Sequence, residues 1–200
     1  MTSPEVRLQR AVERIDEITR GRSAVGVGHE DADDEQGTIA CDDAVGFDPR
    51  PLLRCLDEQG AEVVVIGQVA GILHGSAELT GDLDLLWSGQ EADAAAVGAG
   101  FEAADAQLWD DDGVLLDDAT TAFRLPKVVF RTASSAGDCC TVGLPWGDLD
   151  IDDAIAHPEV ATVDGVTVRY VSLERLIAMR EAVGRPKDRR RAAELRRLDG

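Results

Sequence analysis

The stretch VVVIGQVAGILHGSAELTGDLDLL, residues 63–86, decides the fold of this chain of 200 residues. Its opening residues are β-branched without polar alternation, which is typical of a strand covered on both faces. Gly67 interrupts that pattern, and Gly75 ends the short helical pattern that follows. The predicted elements are a strand over residues 61–66, a helix over residues 69–73 and a strand over residues 82–87. This order within so few residues predicts an α/β fold.

Three segments are predicted around the start of the domain. Apolar residues from Val6 to Ile18 recur at helical spacing, so we expect an amphipathic helix, docked on the domain or on a partner. The following residues are rich in Gly, Asp and Glu and predict a flexible acidic linker. Asp48 and Pro49 then begin a helix that ends at Gly60. The predicted boundaries are a helix in residues 1–22, a linker in residues 23–47 and a domain in residues 48–200.

Beyond residue 87 the chain alternates between helix and strand patterns. The acidic region of residues 105–121 is assigned no more than a hairpin or loop. Ser172 is the expected cap of a helix that ends near Gly184, and Pro186 opens the last helix. The predicted elements are a helix over residues 89–101, a hairpin or loop over residues 105–121, strands over residues 127–132 and 139–144, a helix over residues 148–157 and a hairpin over residues 160–171. We predict an α/β (α+β) fold with a mixed β-sheet flanked by helices and with C-terminal helices.

The formal net charge of −19 argues against nonspecific binding to nucleic acid or anionic membranes, because the field of the whole chain repels both. No stretch of 18 apolar residues occurs and the N-terminus is charged, so we expect a soluble cytoplasmic protein without membrane contact. The cysteines lack zinc-ligand spacing and are expected to be free thiols, with a metal site as the minor alternative. They are Cys41, Cys55, Cys139 and Cys140.

Asp82 and Asp84 lie two residues apart on a predicted strand, so both carboxylates project from one face. Their hard oxygens suit Mg²⁺, which also binds nucleotide phosphates. The spacing alone carries little weight, because pairs such as Asp110 and Asp112 share it elsewhere in this acidic chain. Only the first pair sits among apolar strand residues and follows a strand, a glycine and a helix, a junction that can offer backbone N–H groups to a phosphate.

These residues resemble the core of the nucleotidyltransferase superfamily, and within it the small AbiEii-like proteins of bacteria and archaea. The resemblance rests on the runs VVIGQVA at residues 64–70, HGS at residues 74–76, LTGDLDL at residues 79–85 and GRPKD at residues 184–188. It extends over roughly residues 47–198. What it implies is Mg²⁺-dependent transfer of a nucleoside monophosphate from an NTP to a hydroxyl of tRNA or protein. A toxin of a toxin–antitoxin pair, with an antitoxin protein as its partner, is a further implication.

The resemblance also implies a role for each candidate residue. Asp82 and Asp84 would hold Mg²⁺, Gly67 with Gln68 would cradle the triphosphate, and Lys187 would approach a phosphate or the acceptor. A third carboxylate, on a neighbouring strand, completes the catalytic set in the family. The best register puts Cys140 at that position, but Asp138 lies two residues earlier, faces the same way and could take that role.

Two departures keep an inactive alternative open. Gln68 stands where the family has a small residue, and a thiol at Cys140 is a poor Mg²⁺ ligand. A catalytically degenerate module that binds a nucleotide or a protein partner is therefore the alternative to an active enzyme.

Several other residues have simpler interpretations. His74 is expected to be packed at a helix end, with a catalytic role as its alternative, and Trp87 is expected in the core, with base stacking as its alternative. The C-terminal arginines are interpreted as a solvated face, with a tRNA-contacting patch as the alternative; they are Arg189, Arg190, Arg191, Arg196 and Arg197. Ala192, Leu195 and Leu198 are expected to pack beneath them.

Overall fold

The computed structural model describes residues 2–28, 38–147 and 149–199. The helices are α1 (Pro4–Thr19), α2 (Arg50–Glu58), α3 (Gly67–His74), α4 (Glu91–Ala103), α5 (Ala119–Ala122), α6 (Ile151–Ala156), α7 (Leu173–Val183) and α8 (Pro186–Asp199), with short 3-10 turns at Thr38–Ala40 and Asp42–Ala44. The strands are β1 (Val64–Val65), β2 (Leu83–Trp87), β3 (Gln107–Trp109), β4 (Leu115–Leu116), β5 (Lys127–Arg131), β6 (Ala136–Thr141), β7 (Glu159–Val163) and β8 (Val166–Tyr170). None of the helices in these ranges is both long and apolar enough to cross a membrane.

The strands form one mixed sheet in the order β4-β3-β5-β6-β2-β1-β8-β7. β2 runs parallel to β6, and β1 runs parallel to β8, while the other neighbouring pairs are antiparallel. Helices flank this sheet, and α7 and α8 close the chain. The predicted fold class is therefore confirmed.

The predicted strand over residues 139–144 is wrong in its bounds, because β6 begins at Ala136 and ends at Thr141. The sequence Ala136-Gly137-Asp138 has little strand propensity of its own, but it pairs with β2 on one side and with β5 on the other. The shift matters because it places Asp138 inside the strand. The predicted strand over residues 61–66 is likewise longer than β1, whose ladder contains Val64 and Val65 only.

Helix α1 docks on the domain. Leu8, Ala11, Val12 and Ile15 are buried in the same apolar core as the strands, and the helix contacts α3 and β7. Arg7 adds a hydrogen bond of 2.7 Å from its guanidinium to the carbonyl of Leu73. Most of the amphipathic face predicted for this helix is thus covered by this chain itself, whereas Ile18 at its end is 48% exposed.

The predicted linker is only partly visible, since residues 29–37 lie outside the described residues. On either side of that gap the chain makes defined contacts. The Asp42 carboxylate accepts hydrogen bonds from the backbone N–H groups of Val25 and Gly26, and Phe47 is buried in the core. The domain boundaries themselves stay a prediction.

The C-terminal third follows the sequence closely. β7 and β8 form the predicted hairpin, which turns at Asp164 and Gly165, both at positive φ. Ser172 precedes α7 and Gly184 follows it in the left-handed conformation. Ser172 occupies the predicted cap position, although its side chain makes no capping hydrogen bond.

Candidate functional site

One cavity of about 240 Å³ brings together all the residues that the sequence singled out for chemistry. Asp82, Asp84 and Asp138 line it from the sheet, Gly67 and Gln68 line it from the start of α3, and Lys187 lines it from α8. Residues 120 positions apart in the sequence therefore share one site. What each residue does there stays a prediction.

The sheet supplies an acidic wall to this cavity, made of Asp82, Asp84 and Asp138. Asp84 of β2 lies directly opposite Asp138 of β6 in the parallel ladder, and Asp82 immediately precedes β2. Cys140 is two residues beyond Asp138 on the same face and lies opposite Leu86. Both candidates for the third position thus face the cavity, and Asp138 is the one in register with Asp84.

Gly67 permits the close approach of Asp84 to the first turn of α3. A Cβ atom at Gly67 would lie 1.7 Å from Oδ2 of Asp84, and the glycine has a φ of +62°. The Asp84 carboxylate therefore occupies the space in which any other residue would carry a side chain. The positive end of α3 thus lies beside an acidic side chain.

Gln68 is 2% exposed, and its side chain is fully engaged in holding neighbouring elements together. Its Nε2 donates to Ser76 Oγ at 3.0 Å and to the carbonyl of Glu78 at 2.6 Å. Its Oε1 accepts a hydrogen bond of 2.8 Å from Arg180. The phosphate contact predicted for Gln68 would therefore have to come from its backbone.

Helices α7 and α8 and the turn between them supply a cationic wall to the same cavity; it consists of Arg180, Arg185, Lys187 and Arg191. Arg180 donates to the carbonyl of Gly67 at 3.0 Å. Burial, with Arg191 nearby, lowers the pKa of Arg180 to about 10. Arg191 is paired with Glu78, its Nε lying 2.7 Å from Oε1. Arg180 and Arg191 are thus fixed, buried donors, whereas Arg185 is half exposed and donates to Asp188, an acid that also lines the cavity.

The sequence interpretation missed Arg180 and misplaced Arg191. Arg180 lies four residues after Leu176 and three before Val183, and all three line the cavity. That spacing was a readable signal for a cation on the face of α7 that lines the cavity. Arg191 is buried rather than solvated, because α8 packs its side chain against Glu78.

The other predictions for α8 are confirmed in part. Ala192 and Leu195 are buried as expected, whereas Leu198 is 47% exposed, so its predicted packing is wrong. Arg189, Arg190, Arg196 and Arg197 are exposed.

The donor chemistry of the acidic wall fits Mg²⁺. Mg²⁺ is usually held by one or two carboxylates, with waters and substrate phosphates completing its shell, and Asp82 and Asp84 offer two such groups. Within residues 2–28, 38–147 and 149–199, no group of three or more His, Cys, Asp or Glu side chains is arranged to hold a metal ion. A cation here would therefore depend on two carboxylates and on its ligand.

The thiol of Cys140 is expected to be unreactive towards alkylating agents. Burial, and then the charges of Asp138 and Asp84, raises the pKa of Cys140 to about 12. At pH 8 about one molecule in ten thousand then carries the thiolate that reacts with alkylating agents.

We expect iodoacetamide at pH 8 to modify Cys55, which is partly exposed, while Cys140 stays unmodified in the folded protein. Peptide mass spectrometry after brief labelling measures both sites at once. Labelling in urea serves as the control, because all four cysteines are free and should then react. Equal modification of Cys55 and Cys140 in the folded protein would contradict the assignment.

His74, Trp87 and Trp146 each contact other parts of the described chain. The ring Nε2 of His74 lies 2.8 Å from the carbonyl of Val171, and the ring packs edge-on against Tyr170. Trp87 is buried in the core against Phe123. Trp146 lines the cavity instead, with its Nε1 donating to the carbonyl of Thr141 at 3.0 Å.

No protein-family model matches the chain, and no curated protein matches it.

Proposed function

We propose that this protein is a Mg²⁺-dependent nucleotidyltransferase that transfers a nucleoside monophosphate from an NTP to a hydroxyl acceptor on RNA or protein. The observation that carries the proposal is that an acidic wall and a cationic wall line one cavity. Asp82, Asp84 and Asp138 share the cavity with four cations from α7, α8 and the turn between them, one of which is paired with Asp188. A metal-bound triphosphate has the same division of charge, because its cation needs carboxylates and its phosphates need donors.

The resemblance to AbiEii-like proteins supports the same proposal. The strand, glycine turn, helix and acidic strand occur in the structure in the expected order. The nature of the acceptor and the pairing with an antitoxin rest on the resemblance alone.

Each wall would have its own task. Asp82 and Asp84 would hold Mg²⁺, which supplies charge neutralisation at the phosphates. Arg185 and Lys187 would bind phosphate oxygens, and the backbone N–H groups at Gly67 and Gln68 lie at the positive end of α3, where an anion is favoured. Trp146 forms an apolar part of the wall against which a base can lie.

Asp138 is the candidate base. The acceptor hydroxyl oxygen would form a bond to the α-phosphorus while the bond between the α-phosphorus and its bridging oxygen breaks. Pyrophosphate leaves with that electron pair, and the hydroxyl proton passes to the Asp138 carboxylate. Its position opposite Asp84 would place that carboxylate beside the reacting phosphate.

Label transfer tests the proposal directly. Incubation with NTPs labelled at the α-phosphate, Mg²⁺ and cellular RNA or protein should label an acceptor. Asp82→Asn and Asp84→Asn should each lower the rate at least about a hundredfold, because each removes a charged oxygen ligand. Asp112→Asn and Asp152→Asn are matched controls, since both belong to the same D-x-D pattern outside the cavity and should keep full activity. Equal labelling by the wild type and the two cavity variants would refute the proposal.

The second candidate is a module that binds a nucleotide without turnover. It is favoured by the ion pair between Lys127 and Asp138, at 3.5 Å, and by the thiol at Cys140. Calorimetry separates the two candidates, because Mg²⁺-dependent NTP binding without label transfer supports the module. Transfer that appears only in Cys140→Asp would identify the natural chain as catalytically degenerate.

A further inference from the structure

Lys127 is a cation placed beside the acidic wall, although the sequence suggested no role for it beyond a strand. It lies opposite Cys140 in the antiparallel ladder of β5 and β6. Its Nζ is 2.9 Å from Oδ1 of Asp111 and 3.5 Å from Oδ2 of Asp138. The lysine is therefore shared between two carboxylates, and one of them belongs to the candidate site.

The two carboxylates differ in their exposure to water. The side chain of Asp138 is 16% exposed, whereas that of Asp111 is 73% exposed. Asp138 also lies opposite Asp84, so the lysine offsets repulsion between two carboxylates in a partly desolvated place. Asp111 provides a second, solvated partner for the same ammonium group.

A divalent cation at Asp82 and Asp84 would change this balance. It would repel the ammonium group of Lys127 and would itself neutralise the acidic wall. Lys127 already has a closer partner in Asp111, so it can withdraw from Asp138 without losing its ion pair.

We propose that the ammonium group of Lys127 has two positions. It neutralises Asp138 while the acidic wall holds no divalent ion, and it pairs with Asp111 alone when such an ion binds. This inference rests on the proposed function. Its consequence is that Lys127 competes with the metal, so that the site binds a bare divalent ion weakly. Lys127 is a positioning residue in this scheme, because it acts through Asp138.

Mn²⁺ binding to the full chain without nucleotide tests the inference, with free Mn²⁺ measured by electron paramagnetic resonance. Lys127→Met removes the competing charge and should tighten Mn²⁺ binding about tenfold. Asp111→Asn removes the alternative partner, holds Lys127 on Asp138 and should weaken binding about threefold. The double change Lys127→Met with Asp138→Asn should cancel the gain.

Arg131→Met is the matched control. Arg131 lies on the same strand and also pairs with an aspartate, Asp43, but neither residue lines the cavity. This variant should bind Mn²⁺ as the wild type does. Thermal unfolding of each variant verifies that it is folded.

The outcomes separate the two proposals. Mn²⁺ binding by the wild type with no change in Lys127→Met and Asp111→Asn overturns the role of Lys127 and leaves the proposed function standing. Mn²⁺ binding by Lys127→Met but not by the wild type supports the role of Lys127. It would show that Lys127 prevents the wild type from binding the bare ion. Absence of binding in the wild type and in Lys127→Met overturns the role of Lys127, whereas the proposed function, in which the nucleotide completes the metal shell, is decided by label transfer.

Discussion

Gly67→Ala is expected to lower the free energy of unfolding by about 3 to 4 kcal/mol. The left-handed φ of +62° accounts for about 1 kcal/mol, because an L side chain is strained there. The rest comes from Asp84, whose Oδ2 lies 1.7 Å from the position of the new Cβ. The carboxylate must leave the N-terminus of α3, and β2 must shift in the core to let it do so. Urea-induced unfolding followed by circular dichroism measures the loss.

Gly60→Ala separates the cost of backbone strain from the cost of the contact with Asp84. Gly60 has a similar φ of +69°, but nothing lies within 4 Å of a Cβ built there. We expect it to lose only about 1 kcal/mol, which is the backbone strain alone.

A double-mutant cycle then identifies the obstacle. In an Asp84→Gly background, which removes all three atoms of Asp84 that the new Cβ would meet, Gly67→Ala should cost no more than Gly60→Ala, so the coupling energy is about 2 kcal/mol. A full loss of 3 to 4 kcal/mol in that background would show that Asp84 is not the obstacle.

The sequence predicted the central motif well because its signals are local. A run of β-branched residues, a glycine, a short apolar helix and a second apolar strand each have their own propensity. These signals give β1, α3 and β2 in order, and they put Asp82 and Asp84 at the start of β2. The hairpin at Asp164 and Gly165 followed from turn chemistry in the same way.

The opposite side of the cavity was harder to predict, since it depends on how distant elements meet. Arg180 is a cation in an amphipathic helix, and only the docking of α7 beside α3 reveals that it contacts Gly67. Lys127 meets Asp138 because of the register between β5 and β6, and register cannot be read from composition. The candidate acids were thus predictable one by one, but their partners were not.

The start of β6 shows why a tertiary contact can override local propensity. Alanine, glycine and aspartate are poor strand formers, yet Ala136, Gly137 and Asp138 are all in the ladder. Gly137 lies opposite Leu83 in the parallel pair. A Cβ atom there would lie 2.0 Å from the carbonyl oxygen of Leu83 and 2.7 Å from its carbonyl carbon. The missing side chain is therefore what allows the two strands to meet this far along.

Gly137→Ala is accordingly expected to lower the free energy of unfolding by about 4 kcal/mol. The obstacle is backbone in the middle of the sheet, so no rotamer change can relieve it and the two strands must separate. Gly143→Ala is the control, because its Cβ would meet only the Thr141 hydroxyl, at 3.3 Å, and should change stability by no more than about 0.5 kcal/mol.

The same substitution also bears on the site. Separation of β2 from β6 at Gly137 would pull Asp138 away from Asp84, its neighbour in register. Calorimetry should then show weaker Mg²⁺-dependent nucleotide binding in the Gly137→Ala protein that remains folded. Unchanged stability and unchanged binding would mean that β6 does not begin at Ala136, and Cys140 would again be the candidate for the third position beside Asp82 and Asp84.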